Sequence, residues 1–227
     1  MSALAFYFKV IRALEAIDVP YMIVGAFAGL AFGVSRATFD VDILVDLRDA
    51  DFDALAAHFP LPRYYADPEM MRNSTRMGIM FNLIDTELGV KADLVPLTRE
   101  PGYRVAFDRR VRRAFQDETG AMFEAWCAQP TDIIIGKLKA WAEGRSAKHP
   151  ADIAAMVAFA LSGLSDAPLD MPAITAAAAR LGPDVAALWA SLCHSAETQT
   201  RERRETYGPY PTTQNSQPAP PSHQEPS

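Results

Sequence analysis

The chain has 227 residues, 49% of them hydrophobic, and a formal net charge of −6. This length and composition predict one full domain plus a smaller helical part, with a core large enough to need no disulfide or structural metal. The negative charge argues against a general basic nucleic-acid binder, because such binding depends on lysine and arginine neutralising phosphates. Cys127 and Cys193 lie far apart without CxxC spacing, so neither a zinc site nor a disulfide framework is predicted.

The segment from Met1 to Ala16 predicts an amphipathic helix rather than a signal peptide. Its apolar side chains recur at helical spacing. Lys9 and Arg12 interrupt the apolar stretch, and no small-residue cleavage site follows them. Since no run in the chain approaches the roughly 18 apolar residues of a membrane helix, we expect a soluble, cytoplasmic protein without membrane association.

Short apolar runs predict the strands of a sheet. The predicted strands are 21–24, 39–45, 79–84 and 90–95, with the last two joined as a hairpin whose turn contains Gly89. Helices are expected between the first two strands and again near residues 51–59. Residues 99–113 are interpreted as a loop followed by an arginine-rich strand.

From Thr131 onwards the apolar spacing becomes helical, which predicts four helices, the last two beginning near Pro172 and Pro183. Beyond about Glu197 the chain is polar, and residues 208–227 contain six prolines. A segment of this composition cannot bury enough apolar surface to become ordered. The predicted domains are therefore a core at 1–128, a helical region at 129–196 and a disordered tail at 197–227.

Three aspartates form the main candidate site. Asp40 and Asp42 are separated by one residue in an apolar strand, so their carboxylates point to one face. Two like charges side by side are costly unless a cation lies between them, and hard oxygen ligands favour Mg²⁺. Asp93 lies on a later strand and shares a face with Lys91, so adjacent strands would bring three carboxylates to one point. The alternative is that these aspartates are solvated residues at strand ends or edges.

The Gly25-Ala26 pair lies at a strand-to-helix turn ahead of these aspartates. Glycine lets the backbone approach a phosphate closely, and free N–H groups at a helix start can bind that phosphate. The alternative is a tight turn without a ligand.

Four segments together resemble the motifs of the nucleotidyltransferase superfamily, most nearly the AbiE-type toxin branch (AbiEii-like). That family has a glycine turn, then an Arg-x-Thr-x-Asp-x-Asp strand, a later Asp strand and a helical lysine motif. The corresponding segments here are Val24–Ala26, Ser35–Val45, Lys91–Val95 and Thr131–Ala140, the last followed by Arg145, Lys148 and Asp152.

The resemblance implies an α+β nucleotidyltransferase fold, a mixed sheet flanked by helices and followed by a small helical region. It also implies metal-dependent transfer of a nucleoside monophosphate from an NTP, such as ATP, to an acceptor hydroxyl. The implied catalytic residues are Asp40, Asp42, Asp93 and Lys137, of which the three aspartates bind Mg²⁺ or Mn²⁺. The implied nucleotide-binding residues are Gly25, Ala26, Arg36 and Thr38.

The implied partners are an NTP, an RNA or protein acceptor and, for a toxin component, a cognate antitoxin. Two alternatives stay open. Ala26 stands where the family usually has Gly or Ser, which suits a non-catalytic member that binds nucleotide or a partner. The fold would equally suit an enzyme that modifies a small-molecule antibiotic. The arginines of residues 104–113 suit either an RNA or triphosphate contact or a solvated strand paired with nearby acids.

Overall fold

The computed structural model describes residues 2–35, 38 and 40–208. The strands of this part of the chain are β1 Tyr21–Val24, β2 Asp40–Val45, β3 Tyr64–Tyr65, β4 Phe81–Asp85, β5 Val90–Pro96, β6 Val111–Gln116 and β7 Met122–Cys127. The α-helices are α1 Ala3–Ala16, α2 Gly25–Gly29, α3 Asp51–Ala57, α4 Pro68–Arg76, α5 Pro101–Asp108, α6 Pro130–Gly144, α7 Lys148–Leu161, α8 Met171–Leu181 and α9 Pro183–Tyr207. Short 3₁₀ segments follow α2 and β5.

The strands form a single seven-stranded mixed sheet in the order β3-β4-β5-β2-β1-β7-β6. The central strand β2 runs antiparallel to β1 and parallel to β5. The hairpin β4–β5 is antiparallel, as the sequence predicts, and its turn residue Gly89 has a φ of +64°. Helices flank this sheet, which confirms the predicted α+β class.

Alternation along β2 separates the core from the polar face. Val41 and Ile43 have no exposed surface, whereas Asp40 and Asp42 on the opposite face are only partly buried. The pattern follows from the two-residue period of a strand. On the core side, the neighbouring strand β5 contributes Ala92 and Leu94, which are also fully buried.

Helix α1 supplies a large share of the core through its aromatic residues. Phe8 makes an edge-on contact with Phe27 of α2, at 6.0 Å between ring centroids, and another with Phe123 of β7 at 4.5 Å. Such edge-to-face pairs add roughly 0.5–1.5 kcal/mol each beyond the burial of their area. Helix α1 is thereby fixed against both α2 and β7.

The C-terminal helices pack on one another and on α2. Helix α6 contacts α7, α8 and α2, and α9 contacts α7 and α8. Because α2 directly follows β1 and contacts β2, this packing brings α6 close to the polar face of β2. The four helices begin where the sequence predicts, and none in the described part of the chain is long and apolar enough to cross a membrane.

Two expectations are corrected. Residues predicted as a loop before β6 contain the helix α5, which begins with Pro101 in its first turn, where proline is well tolerated. The predicted tail starts too early, because α9 continues to Tyr207. The segment 197–207 is polar but rich in glutamate and arginine, which have high helix propensity, and it extends a helix that is already anchored by the buried Trp189 and Ala196. The rest of the predicted tail, 209–227, lies outside the described residues.

Candidate active site

The strand register brings the three predicted carboxylates onto neighbouring strands. In the parallel pair β2–β5, Asp42 lies opposite Asp93 and Asp40 lies opposite Lys91. Each strand alternates its side chains, so these four polar groups share one face of the sheet. Asn82 joins them from β4, where it lies opposite Asp93.

The Asp93 carboxylate is buried and held by two donors. Lys91 Nζ donates to both Oδ1 and Oδ2 of Asp93 at 2.7 Å. Asn82 Nδ2 donates to Oδ1 from the other side. The side chain of Asp93 is 7% exposed while that of Lys91 is 44% exposed, so the lysine reaches inward from the solvent edge of the site.

Asp40 and Asp42 are each contacted by a neighbouring segment: Thr38, just before β2, contacts Asp40, and Gly25, just after β1, lies against Asp42. The hydroxyl of Thr38 lies 3.0 Å from Asp40 Oδ1 and 2.9 Å from the Asp40 carbonyl oxygen. Gly25 has a φ of +68°, and a Cβ atom there would lie 2.2 Å from Asp42 Oδ2. The backbone can therefore approach this carboxylate only because residue 25 is glycine.

The carboxylates repel one another, and this repulsion contributes to a raised pKa of Asp42. Burial, followed by the negative charges of Asp40 and Asp93, raises the pKa of Asp42 to about 6 from an ordinary value of 3.8. The positive charges of Lys137 and Lys91 partly oppose this rise. Strongly perturbed carboxylates of this kind concentrate at functional sites.

Lys137 reaches the site from the helical region as half of a buried ion pair. Its Nζ donates to Asp152 Oδ2 at 2.6 Å, linking α6 to α7. The two side chains are only 6% and 2% exposed. A buried lysine is costly unless paired, so Asp152 fixes both the charge and the position of Lys137.

Tyr7 of α1 lies beneath the carboxylate face. It is 2% exposed, and within the described part of the chain its hydroxyl has no hydrogen-bond partner. Burial, followed by the charges of Asp40 and Asp93, raises the pKa of Tyr7 to about 12. The hydroxyl therefore stays protonated at neutral pH and keeps a hydrogen available for donation.

The donor chemistry of this face suits a hard divalent cation, since it offers three carboxylates. One of them, Asp93, is already paired with the ammonium of Lys91. The sequence predicts that the three carboxylates converge on one point, and the structure does not bring them that close together. Among the described residues, no three acidic, histidine or cysteine side chains are grouped closely enough to hold a metal ion together. The contacts of Asp93 give the reason, because its carboxylate is turned to Lys91 and Asn82.

Among the other predicted residues, Ala26 is nearly buried in the first turn of α2. Arg36 lies outside the described residues. Asn82 was missed by sequence reasoning, although the predicted hairpin contained the signal. The turn that ends at Gly89 fixes the register of that hairpin, and the register places Asn82 opposite Asp93.

Four of the five arginines of residues 104–113 form ion pairs with acids from other elements, and not with the neighbouring acids that the sequence suggested. The fifth, Arg110, lies over the rings of Phe107 and Trp126. Arg109 Nε donates to Asp132 Oδ2 at 2.8 Å. The remaining pairs are Arg104 with Asp46, Arg112 with Glu15 and Glu124, and Arg113 with Asp166. These contacts favour the reading of a solvated, acid-paired segment over an RNA-binding one.

No protein-family model matches the chain, and comparison with curated proteins finds no match. Among solved structures, the antibiotic-resistance factor ANT(2'')-Ia is 13% identical over 90% of this chain and 97% of its own, with a TM-score of 0.39. An antigenic nucleotidyltransferase-like protein from Paracoccidioides brasiliensis is 15% identical over 81% of this chain and 90% of its own, with a TM-score of 0.44.

Terminal uridylyl transferase 4 from Trypanosoma brucei, with bound UTP, is 13% identical over 83% of this chain and 63% of its own, with a TM-score of 0.27. Nucleotidyltransferases thus recur among the matches. At TM-scores below 0.5 these likenesses carry no argument about activity, which has to rest on the site itself.

Proposed function

We propose that the protein is a metal-dependent nucleotidyltransferase that moves a nucleoside monophosphate from an NTP to an acceptor hydroxyl. The observation that carries this proposal is the register of β2 against β5, which sets Asp42 beside Asp93. With Asp40 on the same face, three carboxylates share a partly buried surface. Grouping carboxylates on a partly buried surface costs free energy unless a cation neutralises them.

Asp40, Asp42 and Asp93 would hold Mg²⁺ or Mn²⁺, which when bound supplies charge neutralisation for the triphosphate and for the leaving pyrophosphate. In the reaction, the acceptor oxygen forms a bond to the α-phosphorus, and the bond from that phosphorus to pyrophosphate breaks. Asp93 would polarise the acceptor hydroxyl and accept its proton once a metal has replaced the Lys91 ammonium, and Asn82 and Lys91 fix its position in the free protein.

The remaining residues orient the substrate and balance its charge. Gly25 lets the backbone lie directly against the Asp42 carboxylate, so the turn between β1 and α2 adjoins the proposed metal ligand. Lys137, anchored by Asp152, adds a fixed positive charge on the side of the helical region. Such a division suits phosphoryl transfer, which depends on positioning and charge neutralisation more than on covalent help from the protein.

The test is transfer of label from each of four α-³²P NTPs, with Mg²⁺ or Mn²⁺, to three acceptor pools: cellular RNA, cellular protein and a panel of hydroxylated antibiotics. Asp42→Asn is the inactivating variant. Asp46→Asn is its matched control, since Asp46 immediately follows β2 and is 39% exposed in a surface ion pair. Label that requires Asp42 and not Asp46 supports the proposal, and the labelled pool identifies the acceptor.

Equal labelling by wild type and Asp42→Asn would overturn the proposed chemistry. Nucleotide binding without label in any pool would instead favour a non-catalytic nucleotide-binding protein. Labelling of RNA or protein would also justify a search for a cognate antitoxin, as expected of an AbiE-type toxin.

A second pair of variants tests the lysine. Lys137→Met removes the charge near Asp42, and Lys139→Met removes a lysine two residues along the same helix that pairs with Glu100. We expect Lys137→Met to lower turnover by about 10²-fold, as for loss of one charge-stabilising donor. Lys139→Met should retain turnover. The first variant removes the ammonium that donates to the buried Asp152, so circular dichroism is needed to verify that the protein is folded.

A further inference from the structure

Asp93 has two donors of different charge, and this difference matters for metal binding. Lys91 is a cation that spans both carboxylate oxygens at 2.7 Å. Asn82 is a neutral amide that contacts Oδ1. Oδ1 therefore accepts from both residues, whereas Oδ2 accepts from Lys91.

A divalent cation and the Lys91 ammonium are competitors for the same carboxylate. Both are positive, so their repulsion is strong at the distances imposed by shared oxygen ligands in a partly buried site. Lys91 lies on the solvent edge, 44% exposed, and its long side chain can withdraw into water without disturbing the sheet.

Asn82 has no such conflict, because a neutral amide can keep its hydrogen bond to Oδ1 while a cation approaches Oδ2. Its backbone is fixed opposite Asp93 by the β4–β5 register. Its neighbours Phe81 and Leu83 are buried on the other face, which anchors the strand. Asn82 is thus suited to hold the orientation of Asp93 whether or not Lys91 is in contact.

We infer that Lys91 is a competing counterion that a divalent cation must displace from Asp93, and that Asn82 is a positioning residue that keeps Asp93 aimed towards Asp42. This inference rests on the proposed function, since it takes the carboxylates as metal ligands. It predicts effects of opposite sign for the two donors of one carboxylate. Loss of Lys91 strengthens metal binding, and loss of Asn82 weakens it.

The experiment measures Mn²⁺ affinity directly, by the loss of the free Mn²⁺ signal in electron paramagnetic resonance, on full-length protein treated with chelator and desalted. Lys91→Met should bind Mn²⁺ roughly threefold to tenfold more tightly than wild type, as expected when a partly exposed ion pair no longer competes. Asn82→Leu should bind it roughly threefold to tenfold more weakly, since one hydrogen bond to the ligand is lost.

Lys139→Met is the matched control for Lys91→Met. Lys139 is also paired with an acid and is 41% exposed, so it tests the effect of removing one positive charge from the whole protein. Its Mn²⁺ affinity should equal that of wild type. Lys91→Gln, with a polar side chain, gives a second route to the result if the methionine variant is poorly folded.

Unchanged or weaker Mn²⁺ binding by folded Lys91→Met and Lys91→Gln would overturn the role of Lys91. Unchanged binding by Asn82→Leu would overturn the role of Asn82. In both cases, loss of Mn²⁺ binding in Asp42→Asn would leave the proposed function standing. If wild type binds no Mn²⁺, the inference and the proposed metal dependence fall together.

Discussion

Asp42 on β2 and Asp85 at the end of β4 are two buried or partly buried aspartates of one sheet with opposite surroundings. Asp85 has no exposed surface and is fully provided with donors: Arg63 on Oδ2, at 2.8 Å from Nη2, and the backbone N–H groups of Glu87 and Leu88 on Oδ1. Asp42 instead faces the carboxylates of Asp40 on its own strand and Asp93 on the neighbouring strand β5.

Their pKa values diverge accordingly. Burial by itself raises the pKa of Asp85, but the hydrogen bond from Arg63 and the backbone donors outweigh it and leave that pKa below its ordinary value. For Asp42, burial and like charges act in the same direction and raise the pKa to about 6. The comparison teaches that the charge of Asp85 stabilises a turn, whereas the charge of Asp42 costs stability, as expected for the metal ligand proposed above.

The largest expected effect concerns turnover. Asp42→Asn should lower nucleotidyl transfer by about 10²–10³-fold or more, since it removes a metal ligand and a charge from the reacting centre. Asp85→Asn, assayed at a temperature where it is folded, should keep turnover within a few-fold of wild type. Initial rates of labelling with saturating NTP measure both. A comparable loss of turnover in the two variants would contradict the functional distinction between these carboxylates.

The second prediction concerns the stability of the protein, for which Asp85 rather than Asp42 is expected to be the stabilising carboxylate. Asp85→Asn should lower the free energy of unfolding by about 3 kcal/mol, because the new amide cannot accept all the donors of this turn and the buried charge that pairs with Arg63 is lost. Urea unfolding followed by circular dichroism measures the change. A loss under about 0.5 kcal/mol, typical of ordinary surface substitutions, would contradict the structural role of Asp85.

The third prediction is the pH dependence of stability. Because the folded state raises the pKa of Asp42 from 3.8 to about 6, it binds a proton more tightly than the unfolded chain, and ionisation of Asp42 costs stability as pH rises through that window. Asp42→Asn should therefore be more stable than wild type by up to roughly 3 kcal/mol above pH 6, with the difference vanishing below pH 3.8.

Urea unfolding across this pH range, with chelator present, measures that difference. Asp85 behaves in the opposite sense, since a lowered pKa contributes stability at neutral pH that is lost in acid. A constant stability difference between Asp42→Asn and wild type at all pH values would refute the electrostatic account of Asp42.

The smallest expected effect separates two glycines with similar backbone angles. Gly25 and Gly89 have φ values of +68° and +64°, but a Cβ at Gly25 would collide with the Asp42 carboxylate, whereas one at Gly89 meets nothing within 4 Å. Gly89→Ala should cost about 1 kcal/mol from the left-handed backbone alone. Gly25→Ala should cost about 1–3 kcal/mol and also lower turnover, because Asp42 has to move.

Thermal unfolding and the labelling assay together test this pair. If Gly25→Ala resembles Gly89→Ala in both measurements, then the contact between the turn and Asp42 has no consequence for the site.

Much of the fold could be predicted because it is encoded in local patterns. The alternation of Asp40 and Asp42 with Val41 and Ile43 determines a two-faced strand, and proline and glycine mark helix starts and the hairpin turn. Helix α5 and the end of α9 were missed, because a polar or arginine-rich segment carries a weak apolar period even where its residues favour a helix.

The sequence by itself determined which face of each strand carries carboxylates, since side-chain alternation depends only on neighbouring residues. The tertiary structure decided that Asp93 lies beside Asp42, that Asn82 donates to Asp93, and that Asp152 holds Lys137. These pairings join residues on different strands or helices, and strand order and helix packing are selected by burial of the whole core rather than by any local pattern.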